Sequence, residues 1–486
     1  MTIAESPVAV ATRLYIDGEE VDGGDGVLTV VDPARGGTIG TAAAATREQA
    51  LDAVRAANAA FPAWAALSPQ ERAAQIDAAV AAIGEHFEEH ADILSRENGK
   101  VLDEARGDVF VFGFRCGLAT GLADQVLETT TLPGPPNETI ISYVPRGVVT
   151  IIVPFNWPLA ILGASLPYAL VAGNTVILKP PPSAPLATSL LIRRMAEHLP
   201  PGVLNVVTGK DAEIGEALVS NTDVSMVHFT GSVRGGNKMM EMASKSLTKV
   251  ALELGGNDAA VVLKDADLGE EGIDALYHGI FDTTGQICMA AKRVYVDRSR
   301  YQEVVDGLSR KLEQTVLGDG RDPNTTMGPL HAPSQKKFVE DLLNEAREAG
   351  AEIREFGELP GGEFAEGNFL RPSLVLDPDP KLRVVTEEQF GPTIPIIPFD
   401  DEDQAIAAAN DTWAGLCASV WTADRAKAAE VGARLQAGYV FVNAHSAAVL
   451  DQRAPFGGVK RSGLGREMGI EGLREFMDTH SVALPA

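Results

Sequence analysis

Short apolar runs alternate with amphipathic stretches along most of the chain. In the first half, β-rich runs at residues 148–153, 174–179, 203–207 and 226–230 are bounded by turn residues such as Gly, Pro and Asn, with helical patterns between them. Strands that alternate with helices predict a parallel sheet covered by helices on both faces. We therefore expect an α/β fold in which this region forms a doubly wound, Rossmann-like sheet.

A second set of β-rich runs, at residues 259–263, 293–296 and 439–443, is also interleaved with helical segments and predicts a second α/β domain. The Thr- and Pro-rich segment 128–147 fits neither unit and is typical of a small projecting β hairpin. The chain end, THSVALPA, has the pattern of a further strand. Because exposed strand edges pair with other strands, we expect these two segments to support a homodimer or homotetramer.

Two helix starts carry capping boxes, in which two side chains satisfy each other's backbone N–H groups. The pairs are Thr46 with Gln49 and Ser68 with Glu71. The most apolar segment, at residues 159–173, is shorter than the roughly 18 residues of a membrane span. We therefore predict a buried helix there and no membrane association.

Composition and charge argue against several classes of function. The 486 residues suggest about three domain-sized units, and the net charge of −26 disfavours a nucleic-acid partner. The three cysteines, Cys116, Cys288 and Cys417, are odd in number and far apart, so we expect neither a disulfide framework nor a metal site. The N-terminal segment lacks a basic region, which predicts a cytoplasmic protein without a secretory signal.

Candidate chemistry begins with Cys288, in the stretch TTGQICMAAKR. Its apolar neighbours suit a buried structural thiol, whereas Gly285 permits a tight turn that would present the sulfur and a backbone N–H to one point. A free thiol ionises near pH 8.5, so a nucleophile needs help from elsewhere in the chain. The stretch alone leaves both interpretations open.

Two polar residues are candidates to supply that help. Glu253 ends a strand-like run before a pair of glycines, a position that suits either a general base or a solvated turn residue. Asn156 follows the run 148–153, at the strand end where ligand sites gather in open parallel sheets. Its amide suits an oxyanion donor or, alternatively, a residue that shapes the turn.

A nucleotide site is predicted after the run 226–230. Gly231, Ser232 and Gly236 stand where a helix should begin, so backbone amides and a hydroxyl could hold a pyrophosphate at the positive end of the helix dipole. Lys179, at the end of another run, is positioned to reach a ribose or phosphate oxygen.

Together these residues resemble the aldehyde dehydrogenase superfamily over nearly the whole chain. The matching motifs, in the family's order, are PFNWP, NTVILKP, PPGVLNVVTG, FTGS, ELGGN, GQICMAAKR, EEQFGP and PFGGVKRSGLGRE. The resemblance implies a non-acylating enzyme that oxidises an aldehyde to the carboxylic acid with NAD(P)+.

In the scheme implied by the resemblance, Cys288 attacks the aldehyde carbon, and the oxyanion is held by the Asn156 side chain and the Cys288 backbone N–H. Hydride transfer to the nicotinamide leaves a thioester, which a water activated by Glu253 hydrolyses. Glu388 would hold the nicotinamide ribose, and Phe390 would pack beside the ring. The full set of implied cofactor-binding residues is Phe155, Lys179, Pro182, Gly231, Ser232, Gly236, Glu388 and Phe390.

The resemblance also bears on the choice of cofactor and substrate. Pro182 stands where the family usually has an acidic residue that binds the adenosine ribose and repels a 2′-phosphate, so NADP+ stays an alternative. We expect NAD+ because no Arg stands nearby to favour the phosphate. The substrate pocket implied by the resemblance favours an aromatic or medium aliphatic aldehyde. Arg453 would instead favour a semialdehyde, and Asp282 would favour a substrate that carries a hydroxyl or amine group. The implied lining residues are Trp157, Asp282, Ile287, Met289, Arg453 and the loop 444–453.

The resemblance also implies a division into domains. The expected ranges are 1–125 and 147–254 for cofactor binding, 255–456 for catalysis, and 126–146 and 472–486 for bridging strands. Three other functions remain open: a CoA-acylating semialdehyde dehydrogenase, a non-catalytic protein that retains the fold, and a cysteine hydrolase. Glu253 argues against the first, and the intact trio of Cys288, Glu253 and Asn156 argues against the second.

Overall fold

The computed structural model describes residues 10–485 and contains four sheets flanked by helices. The strands are β1 (Val10–Thr12), β2 (Leu14–Ile16), β3 (Glu19–Val21), β4 (Val27–Val31), β5 (Thr38–Ala43), β6 (Thr130–Leu132), β7 (Asn137–Pro145), β8 (Val148–Ile152), β9 (Thr175–Lys179), β10 (Leu204–Val206), β11 (Val224–Gly231), β12 (Lys249–Leu254), β13 (Asp258–Val262), β14 (Ala291–Asp297), β15 (Glu352–Glu355), β16 (Ser373–Leu376), β17 (Thr393–Phe399), β18 (Cys417–Trp421), β19 (Tyr439–Val442), β20 (Gly463–Leu464) and β21 (Met477–Pro485).

The helices cover the faces of the two large sheets. They are α1 (Arg47–Ala65), α2 (Pro69–Gly84), α3 (Phe87–Asn98), α4 (Leu102–Thr120), α5 (Pro158–Gly163), α6 (Leu166–Ala172), α7 (Leu186–Ala196), α8 (Asp211–Val219), α9 (Val233–Ala243), α10 (Glu270–Phe281), α11 (Tyr301–Leu312), α12 (Pro333–Glu348), α13 (Arg383–Thr386), α14 (Glu402–Asn410), α15 (Arg425–Arg434) and α16 (Gly469–Glu475). In the described part of the chain, no helix has both the length and the apolar character required to cross a membrane.

The first large sheet has the strand order β20-β12-β11-β8-β9-β10-β2-β3. Its central strands are parallel: the chain runs from β8 outward to β9 and β10, then returns to the other side for β11 and β12. This confirms the doubly wound, Rossmann-like prediction. The order reverses between β8 and β11, so the loops after these two strands border the crevice where such sheets bind ligands.

The second large sheet has the order β15-β16-β17-β14-β13-β18-β19, and only β15 runs antiparallel to its neighbour. This confirms the second α/β unit. A third sheet, in the order β21-β7-β6, joins the predicted hairpin to the terminal strand. Residues 1–9 and 486, which include parts of the predicted first and last segments, lie outside the described residues.

Local signals explain the helix boundaries. Both predicted capping boxes are present, at the starts of α1 and α2. The apolar segment 159–173, however, forms the two short buried helices α5 and α6 rather than one. Pro167 accounts for the break, because a proline lacks the N–H that would continue the helical hydrogen bonds from the preceding turn.

Candidate active site

The turn that precedes the candidate nucleophile has a rare backbone conformation. Thr283, Thr284 and Gly285 have φ angles of 53°, 57° and 71°, which is unfavourable for the two β-branched residues. Hydrogen bonds hold this nucleophile turn (residues 283–285) in place. The Trp157 indole N–H donates to Thr283 Oγ1 at 2.9 Å, and Thr284 Oγ1 donates to a backbone carbonyl at 3.0 Å. The turn delivers the following chain, with Cys288, into the space between the two large sheets.

Two cavities meet at Cys288. The smaller, of about 250 Å³, lies against α4, α5 and residues 445–448. The larger, of about 310 Å³, lies at the ends of β8, β11 and β12. A molecule in either cavity would therefore face the same thiol. The residues that line both cavities are Arg115, Asn156, Ile161, Cys288 and Met289.

Asn156 is buried in the loop after β8, beside the nucleophile turn. Its Nδ2 donates a hydrogen bond to the Gln286 carbonyl at 2.9 Å. This bond fixes the orientation of the amide and connects the first large sheet to the segment that carries Cys288. Because an amide nitrogen has two N–H groups, one remains to donate to a ligand in the cavities.

The surroundings of Cys288 keep its thiol neutral. Burial raises the pKa of Cys288 to about 12, and the carboxylate of Glu388 adds to the rise, whereas Lys292 opposes it. Lys292 Nζ donates to the Ile287 carbonyl at 2.6 Å and to the Ala290 carbonyl at 3.2 Å, so it also supports the backbone on both sides of the cysteine. Near neutral pH, a base must remove the thiol proton before the sulfur can attack.

Glu253, in β12, is a buried carboxylate with an unsatisfied oxygen. Among the described residues, its Oε1 has no hydrogen-bond partner. Burial, followed by the charge of Glu467, raises the pKa of Glu253 well above its usual value, and Arg466 acts in the opposite direction. The carboxylate fits closely, since a Cβ atom on Gly457 would lie 2.8 Å from Oε1. These properties suit a group that accepts a proton.

Glu388 lies against the glycine pair that follows β12. Its Oε1 accepts a hydrogen bond from the Gly256 backbone N–H at 3.3 Å. A Cβ atom on Gly255 would lie 2.1 Å from Oε2, so glycine is required for the carboxylate to approach this closely. Burial raises the pKa of Glu388 to about 7.

Five of the predicted cofactor residues surround the larger cavity. Ser232 caps α9, and its Oγ accepts a hydrogen bond from the Gly235 backbone N–H at 3.1 Å. Phe155 meets Phe390 edge to face, with the ring centroids 6.1 Å apart. The five lining residues are Phe155, Gly231, Ser232, Glu388 and Phe390.

The other three predicted cofactor residues do not line this cavity. Gly236 is in α9, where a Cβ atom would lie 2.7 Å from a Leu254 methyl group, so it allows α9 to pack against β12. Lys179 ends β9, next to β8, and its Nζ lies 2.5 Å from an Asp211 carboxylate oxygen. Pro182 lies in the turn that follows β9 and is half-buried.

The smaller cavity contains most of the predicted substrate residues, namely Trp157, Asp282, Ile287 and Met289, together with part of the loop 444–453. Asp282 is paired, because its Oδ1 lies 2.7 Å from His278 Nδ1. Arg453, which was also predicted to contact the substrate, lines neither cavity. Its side chain is 79% exposed and its guanidinium binds Asp451 at 2.8 Å, so it does not reach the cavity.

Arg115 is a buried cation in the wall of both cavities and was not among the residues predicted from the sequence. Its Nε donates to Gln452 Oε1 at 2.8 Å, and its Nη1 donates to the Ala160 carbonyl at 2.6 Å. A single Arg within the apolar helical stretch VFVFGFRCGLAT was the signal that could have revealed it, because a buried charge requires partners.

Comparison with known proteins agrees with this geometry. The model of the aldehyde dehydrogenase family matches residues 21–482. The chain is 34% identical to betaine aldehyde dehydrogenase of Bacillus subtilis, with 97% of each chain covered. It is also 34% identical to the NADP+ succinate-semialdehyde dehydrogenase of Escherichia coli, with 96% of each covered.

A solved structure supports the same assignment over the whole fold. Betaine aldehyde dehydrogenase from Staphylococcus aureus, in complex with NAD+, matches with a TM-score of 0.93 at 32% identity. The match covers 98% of this chain and 95% of that chain. The protein therefore belongs to the aldehyde dehydrogenase family and is an oxidoreductase that acts on small-molecule aldehydes with NAD(P)+.

Proposed function

We propose that this protein oxidises a neutral aromatic or medium aliphatic aldehyde to the carboxylic acid, with NAD+ preferred over NADP+. The observation that carries the proposal is the convergence of two cavities on Cys288, with Asn156 and Glu253 in their walls. One cavity has the mostly apolar lining of a small-molecule site, and the other has polar groups suited to a dinucleotide.

In this proposal, Glu253 is the base that first removes the Cys288 proton. The thiolate attacks the aldehyde carbon, and the charge that develops on the oxygen is stabilised by the remaining Asn156 N–H and the Cys288 backbone N–H. The bound dinucleotide supplies the hydride acceptor. Glu253, after losing its first proton to solvent, takes a proton from the water that hydrolyses the thioester.

The larger cavity fits a dinucleotide. It lies at the switch point between β8 and β11, where ligands of doubly wound sheets bind. Backbone N–H groups at the start of α9, next to Ser232, suit a pyrophosphate, and the Glu388 carboxylate suits ribose hydroxyl groups. Phe155 and Phe390 provide an aromatic wall.

The charges around the smaller cavity favour a neutral aldehyde. Lys100 Nζ lies 4.2 Å from the centroid of the Trp157 ring, so one face of that ring already binds a cation. Asp282 is paired with His278, which reduces its attraction for an amine. The two relatives that are 34% identical take their names from aldehydes of opposite charge, cationic betaine aldehyde and anionic succinate semialdehyde. Sequence identity therefore favours neither charge for the substrate of this protein.

Arg115 supports a second candidate, a semialdehyde dehydrogenase. A buried guanidinium in the cavity wall could bind the distal carboxylate of a short semialdehyde. This candidate ranks second because two of the Arg115 N–H groups already donate to Gln452 and to the Ala160 carbonyl.

A panel of aldehydes tests the proposal. Benzaldehyde, hexanal, succinic semialdehyde and betaine aldehyde are each assayed with NAD+ and NADP+, and the reduced cofactor is followed by absorbance. We expect the highest kcat/KM with benzaldehyde or hexanal and NAD+. A preference for succinic semialdehyde that is lost in Arg115→Met would establish the second candidate instead.

Two substitutions test the chemistry. Cys288→Ala should abolish oxidation, and an active Cys288→Ala protein would contradict the proposed nucleophile. Glu253→Gln should slow the first release of reduced cofactor and also the steady-state turnover, because the group that takes the thiol proton and later activates the water is lost. Undiminished steady-state turnover in Glu253→Gln would contradict the role of Glu253, and turnover restored only by CoA would indicate an acylating enzyme.

We also propose a cytoplasmic homodimer or homotetramer. The described cysteines are free thiols, which suits a reducing compartment. The sheet of β21, β7 and β6 carries exposed apolar side chains, which supports association with another copy of the chain. Fractionation of cells and light scattering of the purified protein test these two points separately.

A further inference from the structure

Lys179 and Asp211 form an ion pair at the sheet edge next to the larger cavity. Lys179 Nζ lies 2.5 Å from Asp211 Oδ1, and the lysine side chain is 4% exposed whereas the aspartate is 75% exposed. Lys179 ends β9, and Asp211 begins the helix that follows β10, the strand paired with β9. A buried ammonium group therefore holds an exposed carboxylate at the end of β9, beside the strand β8 whose following loop lines the larger cavity.

We propose that Asp211 is the residue that selects NAD+ over NADP+. The inference rests on the proposed function, because it takes the Lys179 edge as the site of the adenosine ribose. A carboxylate at this edge can accept hydrogen bonds from the ribose hydroxyl groups. It also repels a 2′-phosphate, which carries nearly two negative charges near neutral pH.

Asp211 supplies a carboxylate that the turn after β9 lacks. Pro182 stands where the family resemblance leads us to expect an acidic residue, and its ring neither accepts a hydrogen bond nor carries a charge. The residues around it, from 180 to 183, are Pro-Pro-Pro-Ser, so none of them is acidic. The ion pair with Lys179 brings an acid from the neighbouring loop to the same edge.

The other charges near Asp211 do not favour a phosphate. Lys210 is the adjacent cation, and its Nζ is paired with Asp25 at 2.8 Å. Glu213, two positions further along α8, adds a second negative charge and accepts a hydrogen bond from the Arg47 backbone N–H at 3.2 Å. A 2′-phosphate beside Lys179 would meet the Asp211 carboxylate at short range, whereas Glu213 is bonded to the start of α1 and both nearby lysines already have carboxylate partners.

The test is the binding of NAD+ and NADP+ to the full-length protein without aldehyde, measured by titration calorimetry. Asp211→Asn keeps the size of the side chain and removes its charge. We expect NADP+ to bind this variant about tenfold more tightly than the wild type, because a like charge has been removed at short range. NAD+ should bind a few-fold more weakly, since an amide oxygen is a poorer acceptor than a carboxylate.

Glu213→Gln is the matched control, because it removes the same charge from the same helix. It should leave the ratio of the two dissociation constants within about twofold of the wild type, and both variants should remain folded by circular dichroism. An unchanged NADP+ affinity in Asp211→Asn would overturn the inference, and so would an equal gain in Glu213→Gln. A wild-type protein that binds neither dinucleotide would instead contradict the proposed function.

Discussion

The thiol of Cys288 lies among three carboxylates, those of Glu388, Asp258 and Glu253, and each of them raises its pKa. Lys292 is the buried cation that opposes this effect. Since the thiolate is the form that oxidants attack, a neutral resting thiol is protected from oxidation. In the proposed mechanism, the same environment makes the reaction depend on a base, and the raised pKa of Glu253 suits that residue to the role.

The pH dependence of turnover should follow Glu253. As the proposed base, Glu253 acts only when ionised, so hydrolysis of the thioester should increase as the pH rises through its raised pKa. Glu467→Gln removes a charge that contributes to this rise and should lower the pKa of Glu253. We therefore expect the acidic limb of the kcat profile to move to lower pH in Glu467→Gln.

The measurement is kcat between pH 5 and pH 9 under saturating substrate. Glu475→Gln is the control, because Glu475 raises the pKa of Glu253 less than Glu467 does. Its acidic limb should move less than that of Glu467→Gln. A Glu467→Gln limb that stays in place, or moves to higher pH, would contradict the coupling.

Two arginines show what residue type alone could and could not predict. Arg453 was expected to contact the substrate, but Asp451, two positions earlier, binds its guanidinium outside the cavity. Arg115 was overlooked, although it lies in the wall of both cavities. The direction of the Arg115 side chain depends on Gln452, which is remote in sequence and which local pattern does not reveal, whereas the partner of Arg453 is local.

At the scale of elements, the nucleophile turn is held by contacts that are remote in sequence. Gly285 has a φ of 71°, and a Cβ atom there would lie 2.3 Å from the Gly391 carbonyl oxygen. Gly285→Ala should therefore combine a left-handed backbone penalty of about 1–2 kcal/mol with a steric clash of about 1–3 kcal/mol. We expect lower stability and a slower reaction of Cys288 with iodoacetamide.

Gly350→Ala separates the backbone penalty from the steric clash. Gly350 has a φ of 88°, but no atom lies within 4 Å of a Cβ built there. This variant should lose only the backbone term in chemical denaturation and should retain the thiol reactivity of the wild type. Equal destabilisation of Gly285→Ala and Gly350→Ala, with unchanged reactivity in both, would show that the clash at the nucleophile turn is absorbed without consequence.

Strands were more predictable than the turns between functional residues. The β-rich runs became β8, β9, β10 and β11 because alternating β/α patterns leave few ways to form a sheet. The left-handed Thr283 and Thr284 had no such local signal, since Trp157 and other distant groups hold them. The division of the apolar segment into α5 and α6 did have one, in Pro167.

At the scale of the molecule, the candidate active site is built from both large sheets. Asn156 and Glu253 come from the first sheet, and Cys288 precedes β14 of the second. The third sheet contributes nothing to either cavity. Its features therefore need another explanation, and association between copies of the chain supplies one.

Exposed apolar side chains on one face of the third sheet allow association between copies of the chain to be tested. Val144, Val482 and Leu484 share this face by register, and they are 39%, 40% and 42% exposed. If this face meets another protomer, the double substitution Val482→Lys and Leu484→Lys should introduce repelling charges there while leaving the hydrogen bonds of β21 intact. Light scattering coupled to gel filtration should then give the monomer mass of 51.3 kDa, whereas the wild type gives a multiple of it.

The control is Leu359→Lys, at an exposed apolar position outside the sheet, which should keep the wild-type mass. An assembly that survives the double substitution would place the interface elsewhere, and a monomeric wild type would leave these side chains without a partner.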